Sequence, residues 1–130
     1  MYLVDTNVFL EVLLTQERRE ICRNFLDVNV GELYISDFSL HSIGVILFRS
    51  GREDIFQEFV RDVVPNMRIA ALPKRLYGDL IEIKRGLGLD FDDTYQYRVA
   101  KEYDLEIVTM DRDFEKVEHD VNVRFLQDTV

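Results

Sequence analysis

Acidic residues recur in this sequence at the places where apolar runs stop. "YLV" runs into Asp5, "EIVTM" runs into Asp111 and Asp113, and Asp92 and Asp93 stand at the head of a helical pattern in "DFDDTYQY". Carboxylates gathered within a few ångströms repel one another, and without a counter-charge they hold protons or splay apart. A divalent cation removes that conflict. Mg²⁺ and Mn²⁺ prefer oxygen ligands, and Mg²⁺ takes one or two carboxylates together with waters and substrate phosphate oxygens. Such an ion lowers the pKa of a water and stabilises charge on phosphate during in-line displacement. Two ions about 3.5–4 Å apart can clamp both the attacking and the leaving oxygen. The sequence offers no rival chemistry, for it has no Cys/His zinc pattern, no Gly-rich phosphate loop and no Gly-x-Ser-x-Gly. Each acid also has a plainer reading: Asp5, Asp92 and Asp93 as helix caps, Asp113 as a turn residue. Three unrelated caps, however, need not share one edge of a sheet.

The elements that must position these acids follow from the apolar spacing. Short β-like runs occupy 2–5, 33–36, 68–72, 106–109 and 122–126. Helical stripes lie between them. Ile55, Phe56, Phe59, Val60, Val63 and Val64 make one, and Leu76, Leu80, Ile83 and Leu87 make another, with Pro73 at a possible start. Residues 17–28 carry a third through Ile21, Cys22, Phe25 and Leu26. The helix over 38–49 is apolar on most sides, which predicts deep burial, with Ser39 or Asp37 as its cap. Strands separated by helices pair in parallel, so the expected fold is α/β, a three-layer α/β/α sandwich around a central parallel sheet of about five strands. Ligands bind such sheets beyond the carboxyl ends of the strands. Asp5, Asp111 and the pair Asp92 and Asp93 at the head of the preceding helix would all converge there.

With 130 residues the chain is expected to form a single domain spanning 1–130. A net charge of −9 argues against a generic nucleic-acid coat protein, which carries a basic face. It does not exclude a nuclease, because acids that bind a cation present positive charge to phosphate. Cys22, the only cysteine, reads as a small core residue beside Ile21 and Phe25. No apolar run has the length of a membrane span, and a cytoplasmic location is the default expectation.

These motifs resemble those of the PIN-domain family, which includes the VapC-type toxins and related ribonucleases. "YLVDTNVFL" is similar to the family's opening strand with its Asp-x-Asn signature, and "DDTYQYRVAKEYDLEIVTMDRDF" to its Asp-led helix, following strand and Thr-x-Asp. The resemblance covers essentially the whole chain. It implies that Asp5, Asp93 and Asp111 are metal ligands and catalytic residues for Mg²⁺ or Mn²⁺. Thr6 and Asn7 would orient Asp5, with Asp92 as a neighbour and Asp113 assisting. It also implies a divalent-metal-dependent endoribonuclease, an RNA substrate, and the role of toxin beside a small antitoxin protein. Apolar-rich helices suit a homodimer.

One departure from the family pattern stands out. A glutamate usual early in the helix after the second strand is replaced by Ser42 in "SDFSLHS". Losing that charge predicts weaker metal binding or one ion instead of two, with Asp37 or His41 as possible substitutes. His41 also reads as a histidine satisfied at the core edge. An alternative function follows: a catalytically weakened PIN-fold binding or regulatory module. Arg49, Arg52, Arg98, Lys101 and Arg112 are the basic groups expected near the acidic mouth. A phospho-acceptor receiver domain is set aside, since no acid follows residues 68–72 and no lysine closes 106–110.

Overall fold

Successive side chains of a strand point to opposite faces, and the central strands use both faces as core. In β1 (Tyr2–Val4) Leu3 packs to one side while Val4 packs to the other. In β4 (Glu106–Thr109) Ile107 and Val108 divide the same way. In β2 (Leu33–Ser36) Leu33 and Ile35 join Val4, and Tyr34 turns toward Leu3. This double use demands helices on both faces, and the computed structural model, which describes residues 1–127, has them. Residues 128–130 of the expected domain lie outside the described residues.

Four helices cover the Val4 face: α1 (Thr6–Leu13), α2 (Arg19–Val28), α3 (Asp37–Arg49) and α4 (Glu53–Asp62). They bury Val8, Phe9, Cys22, Phe25, Ile43, Leu47 and Phe59 against it. Burial pushes the Cys22 thiol up to about 11, as its core reading requires. The Leu3 face is covered by α5 (Asp79–Leu87) and α6 (Phe91–Tyr103). With β3 (Arg68–Ala70) and β5 (Val123–Phe125), the sheet has five parallel strands in the order β3-β2-β1-β4-β5. The expected α/β/α fold is the observed one.

The chain runs outward from β1 to β3, then crosses back to lay β4 on the other side of β1. Strand order therefore reverses between β1 and β4, whose carboxyl ends lie side by side with Val4 opposite Val108. The Asp5 N–H continues this pairing by donating to the Val108 carbonyl at 2.9 Å.

Several boundaries differ from the sequence reading, each for a local reason. β1 stops at Val4 because Asp5 leaves the sheet to cap α1. β3 stops at Ala70, since the Leu72 N–H bonds the Tyr95 hydroxyl at 3.0 Å instead of a neighbouring strand. β5 covers 123–125 rather than 122–126. The cap of α3 is neither Ser39 nor Asp37 but Ser36, whose hydroxyl accepts the Ser39 N–H. A 3₁₀ turn, Lys74–Leu76, intervenes after Pro73, so α5 begins only at Asp79. Nor is α3 buried on most sides: Ile46 and Phe48 are exposed, and full burial is confined to the stripe of Ser39, Ile43 and Leu47.

Both edge strands are three residues long and carry an arginine at the rim. Arg68 lies over the Tyr34 ring at 5.9 Å, and Arg124 lies over Tyr2 at 5.1 Å while pairing with Glu106 at 3.0 Å.

The packing of α4 rests on Phe59, which is 2% exposed and meets Phe9 edge-on at 5.5 Å. Phe59→Ala is expected to cost about 3–5 kcal/mol through lost burial and the cavity left behind. Phe48→Ala, on the exposed face, should stay within about 0.5 kcal/mol. Urea unfolding of the two variants checks the contrast; similar losses would contradict this account of the core.

Candidate functional site

Asp5 is held from three directions at the end of β1. Its Oδ1 accepts the Thr6 N–H at 2.8 Å, which is the helix cap, and also the Gln96 amide at 3.3 Å. Its Oδ2 accepts the Thr109 hydroxyl at 2.7 Å. Thr109 in turn accepts the Asp111 N–H at 2.9 Å, so one hydroxyl joins the two acids across the switch point of the sheet. The capping reading and the clustering reading are thus both correct for Asp5.

Asp93 reaches the same place from α6. Asp90, not Asp92 or Asp93, caps that helix, its carboxylate accepting the Asp93 N–H at 3.0 Å. Asp92 and Asp93 are therefore relieved of capping, and their side chains line a cleft of about 250 Å³. Asp5, Thr6, Asn7, Ser42, Asp90, Gln96 and Asp111 line it too. The amide oxygen of Asn7 accepts the Met110 N–H at 3.4 Å, tying the start of α1 to the turn after β4.

All three acids expected at the centre, Asp5, Asp93 and Asp111, share this cleft. The closest group of carboxylate oxygens is a slightly different set, however: Asp93, Asp111 and Asp113 bring one oxygen each within 4.8 Å of one another. Asp5 lies deeper, 8% exposed and with its oxygens engaged by three donors. Asp113 is brought in by the 3₁₀ turn Arg112–Val117, whose cap is Asp111 accepting the Asp113 N–H at 2.9 Å. His41 is exposed and does not line the cleft.

The electrostatics of this arrangement are unfavourable to the charged acids. Burial pushes Asp93 up to about 7 from 3.8, and the charges of Asp90, Asp111, Asp5 and Asp113 add to the effect. Burial also raises Asp5, opposed by the hydrogen bonds from Thr109, Gln96 and Thr6 and reinforced by Asp111. Asp92 is raised by burial and by Asp90. Among the described residues no lysine or arginine lines the cleft. The basic groups expected there are engaged elsewhere: Arg98 with Asp79 and Glu102, Lys101 with Asp120 at 2.9 Å, Arg112 with Glu115 at 2.9 Å and over the Phe125 ring. Arg49 and Arg52 are exposed and likewise outside the lining.

Three residues of the site escaped the sequence reading. Asp90 carried a usable signal, an acid three positions before Asp93 at the head of a helical pattern. Gln96, three residues after Asp93 and on the same helix face, could have been found by that spacing. Its amide spans Asp5 and the Ser39 hydroxyl, the latter at 2.8 Å, while its Oε1 is buried without a partner. Ser39 also accepts the Thr6 hydroxyl at 2.8 Å, a contact between α1 and α3 that no local pattern announces.

The PIN domain family model matches residues 2–120, and the chain belongs to that family. Among solved structures, a toxin–antitoxin complex from Klebsiella pneumoniae is 17% identical with a TM-score of 0.77, covering 99% of this chain and 100% of that one. VapBC2 from Rickettsia felis, bound to a promoter DNA fragment, is 16% identical with a TM-score of 0.78, covering 97% and 98%. VapC20 from Mycobacterium tuberculosis, a sarcin–ricin loop cleaving toxin, is 16% identical with a TM-score of 0.75, covering 88% and 93%. At these identities the likeness is one of fold. No curated protein sequence matches the chain.

The unfolded chain releases the Asp93 proton near 3.8, whereas the folded protein holds it to about 7. Between those values the folded state binds more protons, so stability falls as pH rises through the interval. Asp93→Asn removes that penalty. With chelator present, the variant is expected to melt higher than the parent at pH 8, by roughly 3–5 °C for about 1 kcal/mol. The gain should vanish near pH 4. A gain independent of pH, measured by thermal melts, would show that charge is not its cause.

Proposed function

We propose that this protein is a divalent-metal-dependent endoribonuclease and the toxin half of a toxin–antitoxin pair. The observation that carries the reading is the cleft itself: five aspartates, Asp5, Asp90, Asp92, Asp93 and Asp111, line one pocket at the switch point of a parallel sheet, with no cationic side chain in the lining among the described residues. Such a donor set suits a hard cation. The oxygens of Asp93, Asp111 and Asp113 are close enough together to share one, and an all-oxygen set favours Mg²⁺ or Mn²⁺. When bound, the ion would activate a water and neutralise charge building on the phosphate.

The remaining work belongs to the chain. Asp93 and Asp111 would hold the ion, and Asp113 would close the set. Asp5, kept in place by Thr6, Thr109 and Gln96, would supply the charge beneath them. Asn7 holds the turn that carries Asp111 through its bond to Met110. RNA as substrate and a separate antitoxin as partner draw support from the neighbours: one is named a sarcin–ricin loop cleaving toxin and another a toxin–antitoxin complex. A homodimer and a cytoplasmic location belong to the same reading. No helix among the described residues is long and apolar enough to cross a membrane.

A second reading, a catalytically weakened binding or regulatory module, is favoured by Ser42. It lines the cleft from α3 where the family's glutamate would fall, and it brings no charge. Purified protein with Mn²⁺ is expected to cleave single-stranded RNA, and Asp5→Asn to abolish cleavage. Ser42→Glu should tighten Mn²⁺ binding in calorimetric titration and raise the cleavage rate. Unchanged cleavage by Asp5→Asn would refute the nuclease. Absence of saturable Mn²⁺ binding at millimolar metal would favour the regulatory module.

A further inference from the structure

Phe38 lines two depressions. One is the acidic cleft; the other, of about 340 Å³, adjoins it and is formed by Asp37, Phe38, His41, Tyr77, Phe91 and Tyr95. Four of those six residues are aromatic. Tyr95, 2% exposed, is the floor, with Phe91 stacked on it at 6.1 Å and 23° between the planes, Tyr77 at 5.9 Å and Phe38 at 6.0 Å. The two rim rings are left in solvent, Phe91 51% exposed and Tyr77 45%. Phe91 is also the first residue of α6, directly before Asp92 and Asp93. A large ring half in water beside a cluster of acids gains little for the core.

The pocket also has a fixed polar wall. The Tyr95 hydroxyl accepts the Leu72 N–H and donates to Asp37 Oδ1 at 2.6 Å, and the Phe38 N–H donates to the same oxygen at 2.8 Å. Those bonds hold the carboxylate in one orientation. Among the described residues Asp37 Oδ2 accepts no hydrogen bond, so it is available to a donor entering the pocket.

We propose that this pocket receives an unpaired nucleobase of the RNA strand whose backbone lies in the adjoining cleft. Aromatic faces stack on any base, and every base has an N–H that a carboxylate oxygen can accept. A base inside a duplex has no free face, so the pocket selects single-stranded or looped RNA. This makes Phe91, Tyr77 and Asp37 substrate-positioning residues. The inference rests on the nuclease reading for the course of the strand, but base capture itself involves neither phosphate nor cation.

Saturation-transfer NMR on the full chain with adenosine, cytidine, guanosine and uridine, each at millimolar concentration, tests the pocket apart from the metal. At least one nucleoside should receive saturation on its base protons, and Phe91→Ala should weaken that binding roughly fivefold to a hundredfold. Phe48→Ala, which removes an exposed ring outside the pocket, should leave it unchanged. No transfer to any nucleoside, or equal binding by Phe91→Ala, overturns the proposal. Uptake of N-acetylphenylalaninamide without any nucleoside also overturns it and assigns the pocket to a protein side chain. Nucleoside binding without RNA cleavage would refute the nuclease and leave the base pocket standing.

Discussion

Mutual repulsion among carboxylates is the constraint around which the carboxyl edge of the sheet is organised. Five aspartates in one cleft would ordinarily relax by turning outward, yet here backbone and side-chain donors pin three of them, Asp5, Asp90 and Asp111. The hydroxyl of Thr109 is central, because it donates to Asp5 while accepting the Asp111 N–H. Asp5 and Asp111 therefore cannot move independently, although 105 residues separate them in sequence. A fold that holds like charges together in this way sacrifices stability at the site, a common trade where function needs the charges.

The rest of the molecule supplies rigidity for that purpose. Alternation along β1 and β4 roots each strand in two cores, so neither can shift toward one face without exposing the other. Both acids at the switch point leave from strand ends anchored in this manner. The third comes from α6, whose inner face from Asp93 to Ala100 is almost wholly buried. Gln96 lies on that face and reaches both Asp5 and Ser39, linking helices on opposite sides of the sheet to the same carboxylate.

Much of this was legible in the sequence, because parallel α/β architecture writes itself locally. An apolar run ending in an acid is a strand end, and four residues such as "EIVT" carry that signal unaided. Asp5 and Asp111 were singled out by this logic, whereas Asp93 was preferred to Asp92 at the head of a helical pattern through the resemblance to the PIN family. What stayed hidden depends on partners distant in the chain. Ser39 reads as a cap until Thr6 and Gln96 arrive, and the basic residues near the C-terminal acids read as cleft residues until their own carboxylate partners are seen. α3 misled for a related reason. Its sequence is apolar on most sides, and composition cannot tell a face that meets a core from one that meets solvent.

The short outer strands have a consequence for how copies of this chain can associate. Three residues offer too few free backbone groups to recruit another β-segment, and the arginines stationed there add charge and bulk against such an approach. Fibril-like growth from either margin is thereby discouraged. Contact between molecules is left to the helical flanks, where Phe48 and Ile46 already stand in water.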